Sequence, residues 1–263
     1  MVISMNNYNN VRNHFTFKHV ILMLLLCGFA VACGSKDERP VAHNTLTDEE
    51  IQQGWMLLFD GETTDGWRGY NQPEFPAGGW EVEDGTLRCI GTGMGEAGGE
   101  GGDIIYDQKF HNFRLSLEWK ISEGGNSGIF YLGQEIEGEP VWKSAPEMQI
   151  LDNDRHPDAM LGVDGNRKAG ALYDLIPADP QNTRPAGEWN HAEVLVYRGT
   201  VVHFQNGEPV VEYHLGTSTW DRMIAESKFA EFPEFGINRP GYIALQDHGD
   251  DVWFRNIKIL QMD

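Results

Sequence analysis

The chain has 263 residues and carries 40 Asp and Glu against 20 Lys and Arg, a formal charge of −20. A surface of that sign repels phosphate backbones and anionic lipid headgroups, which excludes nucleic acid as a partner class. A neutral, hydroxyl-rich ligand is compatible with it.

The first element is a leader. Arg12, Lys18 and His19 precede an apolar run from Val20 to Ala32 that stops at Cys33. That order is the layout of a secretory signal, and the run is shorter than the roughly 20 apolar residues a membrane helix needs. Ala30-Val-Ala-Cys33 is similar to the lipobox of bacterial lipoproteins. The expectation is a lipoprotein signal over residues 1–32, acylation at Cys33 and a polar linker over 33–53, with a plain secretory peptide as the alternative. Attachment to a membrane would then come through the lipid only. Cys27 leaves with the signal, so Cys89 is the single thiol of the globular part. It cannot form an internal disulfide, and within Thr86-Leu-Arg-Cys-Ile90 it reads as a small strand residue without a catalytic role.

Between Leu46 and Glu50 the chain either starts a short helix or continues as linker. From Trp55 onward, short apolar alternations are broken by Gly, Pro, Asn and Asp, the texture of a sandwich or barrel. Trp55 to Phe59 reads as a strand. Gly79 to Ile90 reads as a hairpin turning at Asp84-Gly85. Seven of the twelve residues from Gly91 to Gly102 are glycine, and Gly93 to Gly98 formally fits a dinucleotide fingerprint. No helical pattern follows it and its charged neighbours are acidic, so a phosphate cradle is rejected in favour of a mobile loop at the rim of a site. Phe113 to Ile121 alternates strictly. Gly124 to Gly128 turns the chain into a strand over Ile129 to Leu132, and Ala171 to Ile176 is predicted as a further short strand. His191 to Tyr213 holds two alternating runs with a hairpin at Asn206-Gly207. Ser218 to Ala230 is the one convincing helix, capped by Ser218 and ended before Pro233. Gly241 to His248 and Val252 to Ile259 are expected to pair around Gly249-Asp-Asp251.

Glu147-Met-Gln-Ile-Leu-Asp152 is the stretch around which the rest is organised. As a strand it puts Glu147 and Gln149 on one face and Met148 and Ile150 on the other. Asp152 is out of phase, and a bulge near Ile150 or Leu151 would return it to Glu147. Two carboxylates and an amide on one face suit the grip or cleavage of a polyhydroxylated ligand. A solvated strand face is the alternative.

Taken together, Gly125-Asn-Ser-Gly-Ile129, Glu147 to Asp152, His156-Pro-Asp158, Ala169-Gly-Ala-Leu-Tyr-Asp174, Gly187-Glu-Trp-Asn190, Ser227-Lys-Phe229, Leu245-Gln-Asp-His-Gly249 and Phe254-Arg-Asn-Ile257 resemble the 3-keto-disaccharide hydrolase family. The resemblance spans roughly Gly54 to Gln261 and implies an all-β, concanavalin-like jelly-roll sandwich of two antiparallel sheets with one short helix near the C-terminus. It implies action on glycosides already oxidised to a ketone at C3, and many members are lipoproteins of Gram-negative bacteria, so the cell envelope is the expected location. A C3 ketone acidifies the C2 proton, and the glycosidic oxygen on C1 lies β to the resulting carbanion. A base, an enolate stabiliser and an acid then suffice for elimination, and water re-adds. The base is sought among His248, Glu147 and Asp152, with His248 first because its ordinary pKa lies nearest neutrality. Lys168 or Lys228 would stabilise the enolate, and Asn126, Gln149, His156, Tyr173, Gln246 and Asp247 would bind substrate. Each has a plainer reading: His248 bonding at a strand end, His156 capping a turn, Asp247 serving a local turn, Tyr173 filling the core. Glu147, Asp152, His156 and His248 could also hold a divalent cation, although no local ligand spacing points to one. The competing functions are a non-catalytic carbohydrate-binding lipoprotein and a conventional glycosidase using Glu147 and Asp152.

Overall fold

The computed structural model describes residues 42–93 and 101–263. The leader, Cys33 and residues 94–100 of the glycine-rich loop lie outside the described residues. Among the described residues no helix is long and apolar enough to cross a membrane.

Thirteen strands occur among the described residues: β1 (Trp55–Leu57), β2 (Trp67–Gly69), β3 (Trp80–Glu83), β4 (Thr86–Cys89), β5 (Ile104–Tyr106), β6 (Phe113–Ile121), β7 (Asn126–Gly133), β8 (Glu147–Leu151), β9 (Asn190–Tyr197), β10 (Thr200–Gln205), β11 (Glu208–His214), β12 (Tyr242–Leu245) and β13 (Val252–Gln261). The larger sheet runs β11-β10-β9-β6-β13-β4-β3, with β1 also on β13. The smaller runs β2-β5-β12-β7-β8, and every pairing is antiparallel. The two sheets face each other across an apolar core in which Phe113, Leu115, Leu117, Trp119 and Ile121 meet Ile129, Tyr131, Met148 and Ile150. β6 follows its predicted alternation closely, and every residue of its apolar row is buried.

Positive φ is what two of the predicted tight turns require. Asp84-Gly85 and Asn206-Gly207 both take left-handed φ at both residues, 48° and 74°, 51° and 87°, the geometry whose twist matches the flanking strands. Arg198-Gly199 does the same, so the stretch from Asn190 to His214 forms three strands where alternation alone had suggested two runs.

Other expectations are corrected. β12 and β13 do not pair, because β12 sits between β5 and β7 while β13 crosses to the larger sheet. The intervening Gln246 to Asp251 therefore bridges the two sheets at one end of the sandwich. Ala171 to Ile176 is a looped segment in which Leu172 makes isolated bridges to Met148 and to Ile176. The C-terminal helix is shorter than predicted: α2 (Ser218–Ala225) is capped by Thr217, whose side chain accepts from the Trp220 amide, and a separate 3-10 turn follows at Lys228–Glu231. A second helix, α1 (Asp48–Gln53), precedes the sandwich with a full capping box between Thr47 and Glu50. Just before it, Asn44 and Asn256 exchange reciprocal hydrogen bonds of 2.6 and 2.8 Å. Asn256 sits at positive φ where the β13–β6 register shifts, so this clasp satisfies backbone groups that the bulge leaves without ladder partners.

Candidate active site

β7 and β8 are buried along their whole length. One face of each belongs to the core; the other is the floor of a cavity of about 270 Å³. The alternation of β8 places Glu147 and Gln149 on that floor, as the strand period demands. Asn126 from β7 and Gln246 and His248 from the crossover join them. An aromatic wall of Trp142, Phe229, Phe232 and Phe235 faces these polar groups, and Tyr173 and Lys228 complete the lining. Phe229 stacks on Phe235 at 4.0 Å and Trp142 meets Phe232 edge-on at 5.2 Å. The solvated-face alternative for β8 is overturned: Glu147 is 7% exposed and Gln149 1%.

Gly128 explains how Glu147 fits. A Cβ there would lie 2.1 Å from Glu147 Oε1, so the carboxylate crosses β7 only because that position has no side chain. Gln149 is partly committed elsewhere, since its Oε1 accepts from the Ile150 amide at 3.1 Å. Asn126 Oδ1 and Gln246 Oε1, by contrast, are buried without a hydrogen-bond partner among the described residues. Buried acceptors of that kind are rare in folded proteins, and here both belong to cavity-lining residues, where a ligand hydroxyl would satisfy them.

Lys228 lies 4.2 Å from the centre of the Tyr173 ring and 3.6 Å from Asp174 Oδ2. Tyr173 donates to Asp158 Oδ2 at 2.8 Å. Burial, and then the Asp158 carboxylate, push its phenol well above the usual range, so Tyr173 serves the cavity as a neutral wall.

His248 lines the cavity, and its Nδ1 is shut away from solvent without a hydrogen-bond partner. That atom faces Asp250 Oδ2 at 3.9 Å. Asp250 was not singled out from the sequence, yet Asn126 donates its backbone N–H to the same oxygen at 3.1 Å. Burial lifts the Asp250 carboxyl above its ordinary range, with Asn126 opposing. His156 packs edge-on against His248, ring centres 6.1 Å apart. Burial, and then His248, lower its pKa.

Four expected site residues are placed elsewhere. Asp152 is not brought back by a bulge: Oδ2 accepts from the Gly124 amide at 2.7 Å and Oδ1 from the Asp154 amide at 3.1 Å, so it is a turn acceptor. Asp247 likewise holds the amides of Gly101, Gly102 and Gly249. Lys168 lines a separate depression with Met160, Asp164 and Gln181. His156 is outside the cavity lining and caps the 3-10 turn Pro157–Met160 by accepting from the Asp158 amide at 3.1 Å, the plainer reading of that residue. As for a cation, the donor group that converges among the described residues is His156, His248 and Asp250, with one ligand atom from each within 4.8 Å of the others. Glu147 and Asp152 do not belong to it. Sequence reasoning missed Asp250 and the aromatic wall. The His248-Gly-Asp250 spacing was the available signal for the first, and the repeat Phe229, Phe232, Phe235 for the second.

Residues 54–260 match the model of the 3-keto-alpha-glucoside-1,2-lyase-like domain. The chain belongs to that family. A 3-keto-disaccharide hydrolase of Bacteroides thetaiotaomicron is 51% identical over 230 residues, 80% of this chain and 79% of the relative. A crystal structure from Parabacteroides distasonis, of a protein provisionally named a glycosyl hydrolase, superimposes with a TM-score of 0.75 at 33% identity, covering 84% of this chain and all of that one. A second from the same species reaches 0.57 at 26% identity, over 79% of this chain and 99% of the other. Family members of this kind are glycosidase-type enzymes, and this chain is one, on the concanavalin-like sandwich that the resemblance implied.

Proposed function

We propose that the protein cleaves the glycosidic bond of 3-keto-disaccharides and related 3-keto-glycosides by elimination and rehydration, with His248 as the base. The observation that carries this reading is the composition of the cavity, where, among the described residues, a histidine, a single carboxylate, three amide side chains and a lysine line the space opposite an aromatic wall. His248 removes the C2 proton, and the electron pair moves into the C2–C3 bond as the ketone becomes an enolate. Lys228 supplies positive charge toward that oxygen. Collapse of the enolate expels the C1 oxygen, which Glu147, acting from its protonated carboxylic acid form, protonates, leaving an enone. Water then adds at C1 and gives its proton to Glu147 while C2 regains the proton held by His248, so both groups are restored and the net change is hydrolysis. Asn126, Gln149 and Gln246 hold the sugar hydroxyls, and the aromatic wall covers the apolar C–H face of the ring.

The oxocarbenium route needs two carboxylates flanking the bond. Asp152 is spent on backbone amides, and among the described residues Glu147 is the carboxylate that lines the cavity, which supports the keto-dependent route over a conventional glycosidase. We further propose lipid anchoring through Cys33 in the cell envelope of a Gram-negative bacterium.

The test is incubation with paired substrates, a 3-keto-glucoside and the same glucoside unoxidised. Cleavage confined to the oxidised member is the expected result. Equal cleavage of both would favour ordinary glycosidase chemistry, and tight binding of the unoxidised sugar without turnover would favour a lectin.

A further inference from the structure

One carboxylate beside His248 has no part in the scheme above. We infer that Asp250 is a positioning residue, which accepts the Nδ1 hydrogen of His248 and thereby leaves Nε2 as the bare nitrogen that meets the C2 proton. The inference rests on the reading of His248 as the base.

A neutral imidazole has a single N–H, and the partner of one nitrogen decides the state of the other. His248 Nδ1 is buried with no hydrogen-bond partner, and the group it faces is Asp250 Oδ2 at 3.9 Å. A carboxylate only accepts, so it selects the tautomer with hydrogen on Nδ1. Asp250 is in turn fixed, because the backbone N–H of Asn126, a residue lining the cavity, donates to the same oxygen. At 3.9 Å the contact is longer than a hydrogen bond; catalytic hydrogen bonds are often long without substrate and tighten in the substrate complex. Proton bookkeeping is simple: the C2 proton goes to Nε2, Nδ1 keeps its own, and Asp250 stays ionised beside the imidazolium that forms. The carboxylate stabilises that cation at close range.

His156 supports this arrangement and argues against another. Its Nδ1 accepts the Asp158 amide hydrogen, so the neutral ring carries its hydrogen on Nε2. Two histidines and a carboxylate also describe a common cation site. However, a nitrogen that bears hydrogen has no lone pair for a metal, and ligation by His156 would require its cap on Pro157–Met160 to break.

The test reads the tautomer directly and needs no substrate. Ring nitrogen-15 shifts of His248 are measured in the wild type, Asp250→Asn and Asp250→Glu, alongside kinetics on a 3-keto-glucoside. Expected are an Nδ1–H, bare-Nε2 ring in the wild type, loss of that preference in Asp250→Asn with kcat down about 10²–10⁴-fold and KM little changed, and partial recovery of both in Asp250→Glu. A wild-type ring with hydrogen on Nε2 overturns the proposal, as does wild-type kcat in a folded Asp250→Asn. So does calorimetric binding of one Mn²⁺ or Zn²⁺ that Asp250→Asn abolishes and that restores activity to chelator-treated enzyme, because the three groups would then be ligands. The expected tautomer in a protein that leaves 3-keto-glucosides intact would sink the functional reading and leave the placement of the hydrogen standing.

Discussion

His203 and His248 occupy the same molecule under opposite rules. His203, on β10, is fully buried with both ring nitrogens engaged: Nδ1 bonds to the Gly170 carbonyl at 3.1 Å and Nε2 to the Tyr131 hydroxyl at 2.7 Å. Tyr131 also bonds to Tyr213 at 2.7 Å. His248 lines a cavity with one ring nitrogen buried and lacking a hydrogen-bond partner among the described residues, beside Asn126 and Gln246, whose amide oxygens are also unmatched. A complete network rigidifies a core, and an incomplete one keeps its interactions in reserve for a ligand. The contrast separates the histidine that builds the sandwich from the one that uses it.

The sharpest way to break this contrast is to remove each ring. His248→Ala should lower turnover of a 3-keto-glucoside by about 10²–10⁴-fold with the melting temperature little changed; near wild-type turnover in a folded variant would remove the residue from the mechanism. For His203 the readout is stability. Burial pulls its pKa from 6.5 down to about 4, so between those values the unfolded chain binds more protons than the folded one. Stability from this group is complete above about pH 6.5 and is lost as pH falls toward 4, by about 3 kcal/mol in all. Denaturant titrations across that window should show the slope in the wild type and a flatter profile in His203→Gln.

Gly128→Ala tests the cavity floor. The new methyl meets Glu147 Oε1, so the carboxylate must move, and a destabilisation of about 1–3 kcal/mol is expected together with reduced kcat. Asp152→Ala should lower stability by about 1–2 kcal/mol through the two amides it abandons, while kcat stays at the wild-type level. Lys168→Ala is the smallest perturbation; neither kcat nor melting temperature should move measurably, and a drop in kcat would put this lysine back into the enolate role.

Much of the sandwich could be read in advance because the relevant signals are local. Alternation in Phe113 to Ile121 needs only the strand period, and Asp84-Gly85 and Asn206-Gly207 need only their own backbone preferences. The same period put Glu147 and Gln149 on one face. What alternation cannot say is which sheet a strand joins, and so β12 and β13 were paired although they lie in different sheets. Nor does residue type separate a carboxylate that meets substrate from one that accepts amides in a turn, which is how Asp152 and Asp247 came to be grouped with Glu147. Thr217 and Ser218 are both competent caps, so the start of α2 was ambiguous by one residue. Asp250 was hidden for the converse reason. Beside Gly249 it looked like turn chemistry, and its relation to His248 and Asn126 exists only once the crossover has folded over β7.

The clasp between Asn44 and Asn256 also sets a distance. Ten residues lie between Cys33 and Asn44, and the eleven steps from one to the other reach at most about 40 Å when fully stretched. If Cys33 carries acyl chains, the enzyme works within that leash of the bilayer, and substrates must come to the membrane surface to be cut.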